Sequence, residues 1–112
     1  MIKEKEKQKE LNMPDEHLAV YQIILNSKDK HVTRASILAQ LGKGSTYGRR
    51  LSQIVNDLVV HYKLPVGASS RKDSKGYFII ENETDRYLAK RDLYSKSQSL
   101  LRRYKALEEI QY

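Results

Sequence analysis

The sequence predicts a mainly α-helical domain with a small β-hairpin, an α+β fold, followed by a long C-terminal helix. Three observations carry this. Between Pro14 and Tyr62, three successive segments repeat apolar residues at helical spacing. Two short β-prone runs, Leu64–Ala68 and Gly76–Glu81, flank a polar loop. From Thr84 the chain runs to Gln111 without Gly or Pro. A length of 112 residues fits one small domain. At this size about 60–70% of the unfolded chain's surface is buried, so the core is modest.

Residues 1–13 alternate Lys, Glu and Gln with almost no apolar content, and read as a charged, flexible extension. Glu4, Glu6 and Glu10 nearly cancel Lys3, Lys5, Lys7 and Lys9, which argues against a basic arm that grips phosphate. The domain proper is expected over residues 14–82. Its first helix starts at Pro14-Asp15-Glu16, with acids in the first turn. Leu18, Tyr21, Ile24 and Leu25 form its apolar face, and it ends near Asn26-Ser27. His31-Val32 reads as a very short strand.

Thr33 is the expected N-cap of the second helix, whose buried face is Ala35, Ile37, Leu38 and Leu41. Gly42 stops it, since glycine adopts positive φ freely. After Lys43-Gly44, Ser45 or Thr46 is expected to cap a third helix from about Tyr47 to Tyr62. Leu51, Ile54, Val55, Leu58 and Tyr62 make its apolar stripe. Gly48 costs about 1 kcal/mol of helix propensity, which a close approach of another group, or a frayed first turn, would explain.

Leu64–Ala68 and Gly76–Glu81 form the hairpin, with Pro65 confining the first strand to an edge. Residues 83–112 form the long helix, opened by Thr84-Asp85. Along it Leu93, Ser97, Leu100, Tyr104 and Leu107 follow a 4-3-4-3 spacing, a narrow seam. Such a polar helix is marginal alone, so the seam either packs on the domain or pairs with its copy in a homodimer.

Charge points to a partner. Residues 34 to 76 hold eight Lys or Arg against Asp57 and Asp73, a net +6 out of +7 for the chain. Helix, Gly-containing turn, helix and hairpin is the order of a winged helix-turn-helix, in which the second helix of the turn enters the DNA major groove. Arg49, Arg50 and Gln53, with Tyr47 beside them, are the candidate base readers. Arg34, Lys43, Ser45, Thr46 and the hairpin residues Arg71, Lys72 and Lys75 are candidates for the phosphate backbone. The reading requires the third helix and the hairpin tip to present their cations on one surface.

Enzyme chemistry has no support. There is no Cys, which excludes disulfides and thiolate chemistry. His17, His31 and His61 lie on separate elements without metal-ligand spacing, so neither metal nor cofactor is expected. Gly42-Lys43-Gly44-Ser45-Thr46 lacks the gap of a nucleotide-binding loop. No run approaches the roughly 18 apolar residues of a membrane span, and a cytoplasmic location is expected.

The run Leu64-Pro65-Val66-Gly67-Ala68-Ser69-Ser70, then Lys75-Gly76-Tyr77-Phe78-Ile79-Ile80, then Glu83-Thr84-Asp85 and a long polar helix, is similar to small winged-helix proteins of bacteriophages and related mobile elements of Gram-positive bacteria. The resemblance covers about residues 15–107 and implies double-stranded DNA binding. It implies transcription or replication control of a phage or mobile element, in the cytoplasm of a bacterial host. The competing expectation is a protein-interaction adaptor or inhibitor that docks on a host replication or transcription protein, with the last helix as its docking face.

Overall fold

The computed structural model describes residues 13–111. The charged segment before Met13 lies outside the described residues. Met13 itself packs partly buried against the core, so it belongs to the domain rather than to the extension. In chain order the elements are α1 (Asp15–Leu25), α2 (Arg34–Leu41), a single 3₁₀ turn (Ser45–Tyr47), α3 (Gly48–Val60), β1 (Val66–Ser69), β2 (Gly76–Ile79) and α4 (Glu83–Glu109).

The α3 stripe forms as its spacing requires. Leu51, Ile54, Val55 and Leu58 are buried, and Tyr62 packs partly buried just beyond the helix. They meet α1, whose inward face is His17, Val20 and Ile24. That corrects the expected face: Leu18, Tyr21 and Leu25 lie half-buried on its flanks. The phase differs because His17 is buried with a partner, its Nε2 2.9 Å from Asp57 Oδ2 on α3. Burying a polar ring is tolerable only with such a partner. Ile37 and Leu38 of α2 complete this core, while Ala35 faces solvent rather than the interior. Each fully buried aliphatic side chain contributes about 1.5–3 kcal/mol.

Caps fix the ends of α2. Thr33 accepts a hydrogen bond from the Ser36 amide at 3.1 Å. Gly42 sits at φ 69°, and the Lys43 amide returns to the Leu38 carbonyl at 2.9 Å, closing the helix by a left-handed turn.

β1 and β2 pair antiparallel, with Val66 opposite Ile79 and Ser69 opposite Gly76. The strand expected at His31-Val32 is a single bridge: Val32 and Tyr77 exchange backbone bonds of 2.8 and 2.9 Å. Lys30 then ties this sheet to α4. Its Nζ donates to the Ile79 carbonyl at 3.0 Å, Glu81 at 2.8 Å and Asp85 at 2.6 Å. The Lys30 hydrogen bond holds the Asp85 carboxyl below the ordinary carboxylate range. Asn82, one or two residues before the expected start, caps α4 by accepting from the Asp85 amide at 2.8 Å.

Candidate nucleic-acid interface

The chain enters α3 through the 3₁₀ turn, in which the Tyr47 amide donates to the Gly44 carbonyl at 3.1 Å. Neither Ser45 nor Thr46 caps α3; no side chain makes a cap hydrogen bond there, and both residues are exposed. Extra backbone turning before Gly48 replaces the cap that the sequence suggested.

Gly48 is buried, and the close approach its helix penalty implied is that of Arg34. A Cβ at position 48 would lie 3.0 Å from Arg34 Nη2. The Arg34 guanidinium donates to the Gly48 carbonyl and, at 2.9 Å, to the Ser52 hydroxyl. Arg34 thus joins α2 to the first turn of α3 through Nη2, while the residue stays exposed, so its expected place at the phosphate backbone is shared with a structural role inside the domain.

Arg50 and Tyr47 are similarly engaged. Glu16, in the first turn of α1, accepts both the Arg50 guanidinium and the Tyr47 hydroxyl. The Arg50 hydrogen bond, then that of Tyr47, lowers the Glu16 pKa from 4.5 to about 2. The same carboxylate raises the Tyr47 and Arg50 values. The expectation that Arg50 and Tyr47 are free to read bases is therefore revised: both clamp α1 to α3. Glu16 is the residue that sequence reasoning missed. It read as an ordinary acid at a helix start, and nothing local marks it as a partner for side chains more than thirty positions away.

The solvent side of α3 retains Arg49, Ser52, Gln53 and Asn56, all exposed. With Arg50 and Asp57 they line one shallow surface hollow. Lys43 lies just before, its Nζ 5.4 Å from the Tyr47 ring centroid. At the hairpin tip Arg71, Lys72 and Lys75 are exposed. Among the described residues, none of Lys43, Arg49, Arg71, Lys72 and Lys75 makes an ion pair. The root of the tip is anchored, since Ser70 Oγ donates to Asp92 of α4 at 3.0 Å.

The seam residues Leu93, Leu100, Tyr104 and Leu107 are all exposed. Of the two roles expected for the seam, packing on its own domain is not the one seen. α4 instead turns Leu88, Ala89 and Asp92 toward the domain, and Ala89 is buried.

Among the described residues, no cluster of three His, Asp or Glu side chains could hold a metal ion, and no helix is long and apolar enough to cross a membrane. No family model matches the chain, and no curated protein or solved structure matches it either.

Proposed function

We propose that this chain is a winged helix-turn-helix protein that binds double-stranded DNA. Arg49 and Gln53 on α3 would read base edges in the major groove, with Asn56 beside them. Arg can bridge two acceptors on guanine, and Gln or Asn can do so on adenine. Lys43, the Ser45 and Thr46 hydroxyls, and the tip residues Arg71, Lys72 and Lys75 would hold phosphates. One observation carries the reading: five exposed cations on α3, its approach and the hairpin tip lack any carboxylate partner among the described residues. Cations left unpaired in a segment of such charge are the electrostatic footprint of a polyanion site. Arg50, Tyr47 and Arg34 serve it indirectly, by fixing α3 against α1 and α2. The resemblance in the hairpin and the start of α4 extends the proposal to transcription or replication control of a mobile element.

The competing reading, a protein-docking module, draws its support from the exposed apolar face of α4. Titration of random duplex DNA at several salt concentrations separates the two. If all five cations meet phosphate or displace counterions, log affinity should fall with log salt at a slope of about −4 to −5. Absence of binding at low salt, or a flat salt response, would overturn the DNA reading.

A further inference from the structure

We propose that α4 joins two copies of this chain in parallel and in register, through a seam running from Leu93 to Leu107. The proposal rests on α4 alone and holds whether or not the chain binds DNA.

α4 has 27 residues and is about 40 Å long. Its early part packs on the hairpin, where Ala89 is buried and Asp92 takes the Ser70 hydroxyl. Every described residue from Ser99 onward is exposed. A helix that projects this way is marginal in water without a partner. Its free face is not polar. Leu93, Leu100 and Leu107 recur every seven residues, Tyr104 lies between them, and Tyr94 and Leu101 form the adjoining column. Leu101 is 43% exposed and the other five are 62–65% exposed. Together they leave roughly 700 Å² open, close to the ~800 Å² that each partner contributes to a standard interface. A monomer seldom leaves so large an apolar patch uncovered. The seam borders the side that meets the hairpin, where Leu100 lines a hollow with Ser70 and Asp92, yet its apolar residues remain exposed and open to a second copy.

Charge selects a second copy and its direction. With the leucine column at the d positions, Ser97 and Tyr104 fall at a, Lys96 and Arg103 at g, and Glu108 at e. In a parallel pair each g residue faces the e residue five places on in the other chain. Arg103 then meets Glu108 of the second copy, twice by symmetry. Neither residue makes an ion pair within the described part of its own chain. In an antiparallel pair g faces g, which sets Arg103 against cations and leaves Glu108 beside apolar side chains. Lys90 precedes Ser97 in the a column and would repel its copy, which sets the start of the seam at Leu93.

Sedimentation equilibrium of the full chain tests this. The mass should rise with concentration from 13.1 kDa to twice that value. Leu100→Asp should stay monomeric and melt as the native chain does at concentrations where that chain is itself monomeric, because the site is exposed and outside the core. Glu108→Arg should weaken association about fivefold, and adding Arg103→Glu should restore it. The chain has no cysteine, so Ser97→Cys reports direction cleanly: a parallel pair cross-links on oxidation. A chain that stays monomeric up to its solubility limit overturns the proposal. So does a dimer that survives Leu100→Asp, or one whose Ser97→Cys variant does not cross-link.

Discussion

Glu16 Oε1 accepts the Nε–H of Arg50 at 3.0 Å, and the other carboxylate oxygen accepts the Tyr47 hydroxyl. One acid in the first turn of α1 therefore ties α1 to the start of α3 at two points. Its pKa falls from 4.5 to about 2 because Arg50, and then Tyr47, bind the ionised form. A depressed folded-state value means that the pair stabilises the fold fully above about pH 4.5. That contribution is lost as pH falls toward 2. Melting temperatures of the native chain and Glu16→Gln, followed from neutral to acidic pH, should differ most at neutral pH. The gap should close across that window. A gap independent of pH would mean that Glu16 is not held by charge.

The two neighbouring arginines should behave differently. Arg49→Ala removes an exposed, unpaired guanidinium, so on the DNA reading it should cost about 1–3 kcal/mol of discrimination at one base pair and leave stability unchanged. Arg50→Ala should lower the melting temperature and weaken all sequences alike, through loss of α3 positioning. Lys72→Ala should also weaken all sequences alike, but without a stability loss and with a salt slope reduced by about 1. Selecting binding sites for each variant from a random duplex pool checks the assignment. Relaxed sequence preference in Arg50→Ala alone would reverse the roles of the two residues.

What the sequence revealed was what depends on near neighbours. Thr33 and Gly42 mark the ends of α2 because each acts on amides or carbonyls within one turn. The α3 stripe is legible because Leu51, Ile54, Val55 and Leu58 recur at helical spacing, with only Val59 and Val60 as apolar residues off the stripe. Distance along the chain hid the rest. His17 belongs to the buried face of α1 only because Asp57, forty positions on, meets its ring. Ala35 carries too little apolar surface to settle which way it points, and the helix turns it to solvent. Arg34, Arg50 and Tyr47 have the chemistry of nucleic-acid contacts, and only folding brings them to Gly48 and Glu16. A basic residue at a helix start therefore reads the same in sequence whether it faces solvent or a carboxylate.

Gly76 opens β2 at φ 128°, and a Cβ there would lie 2.4 Å from the Val32 carbonyl oxygen. That carbonyl accepts the Tyr77 amide at 2.8 Å, so the obstacle is backbone held in a bridge. Gly76→Ala should cost at least about 1–3 kcal/mol in urea denaturation, from strain and from displacement of the bridge. An unchanged midpoint would mean that the bridge does not persist in solution. Gly42, with no atom within 4 Å of its would-be Cβ, is the matched control at positive φ: alanine there meets only the backbone penalty and should cost less.

Lys63 follows α3 at φ 56°, the one described residue other than glycine with positive φ. The Leu64 amide returns to the Leu58 carbonyl at 2.9 Å, so a left-handed residue again closes the helix, by a bond one residue wider than the Lys43-to-Leu38 bond beside Gly42. A residue with a side chain loses roughly 1–2 kcal/mol in that conformation. Glycine removes the loss but adds about 0.5–1 kcal/mol of unfolded-chain entropy, so Lys63→Gly should raise stability by a net of up to about 1.5 kcal/mol. Val at this position should destabilise, since a β-branched residue at positive φ is a genuine outlier. Urea midpoints at constant slope check both changes. If glycine lowers the midpoint, the positive-φ turn is not what ends α3.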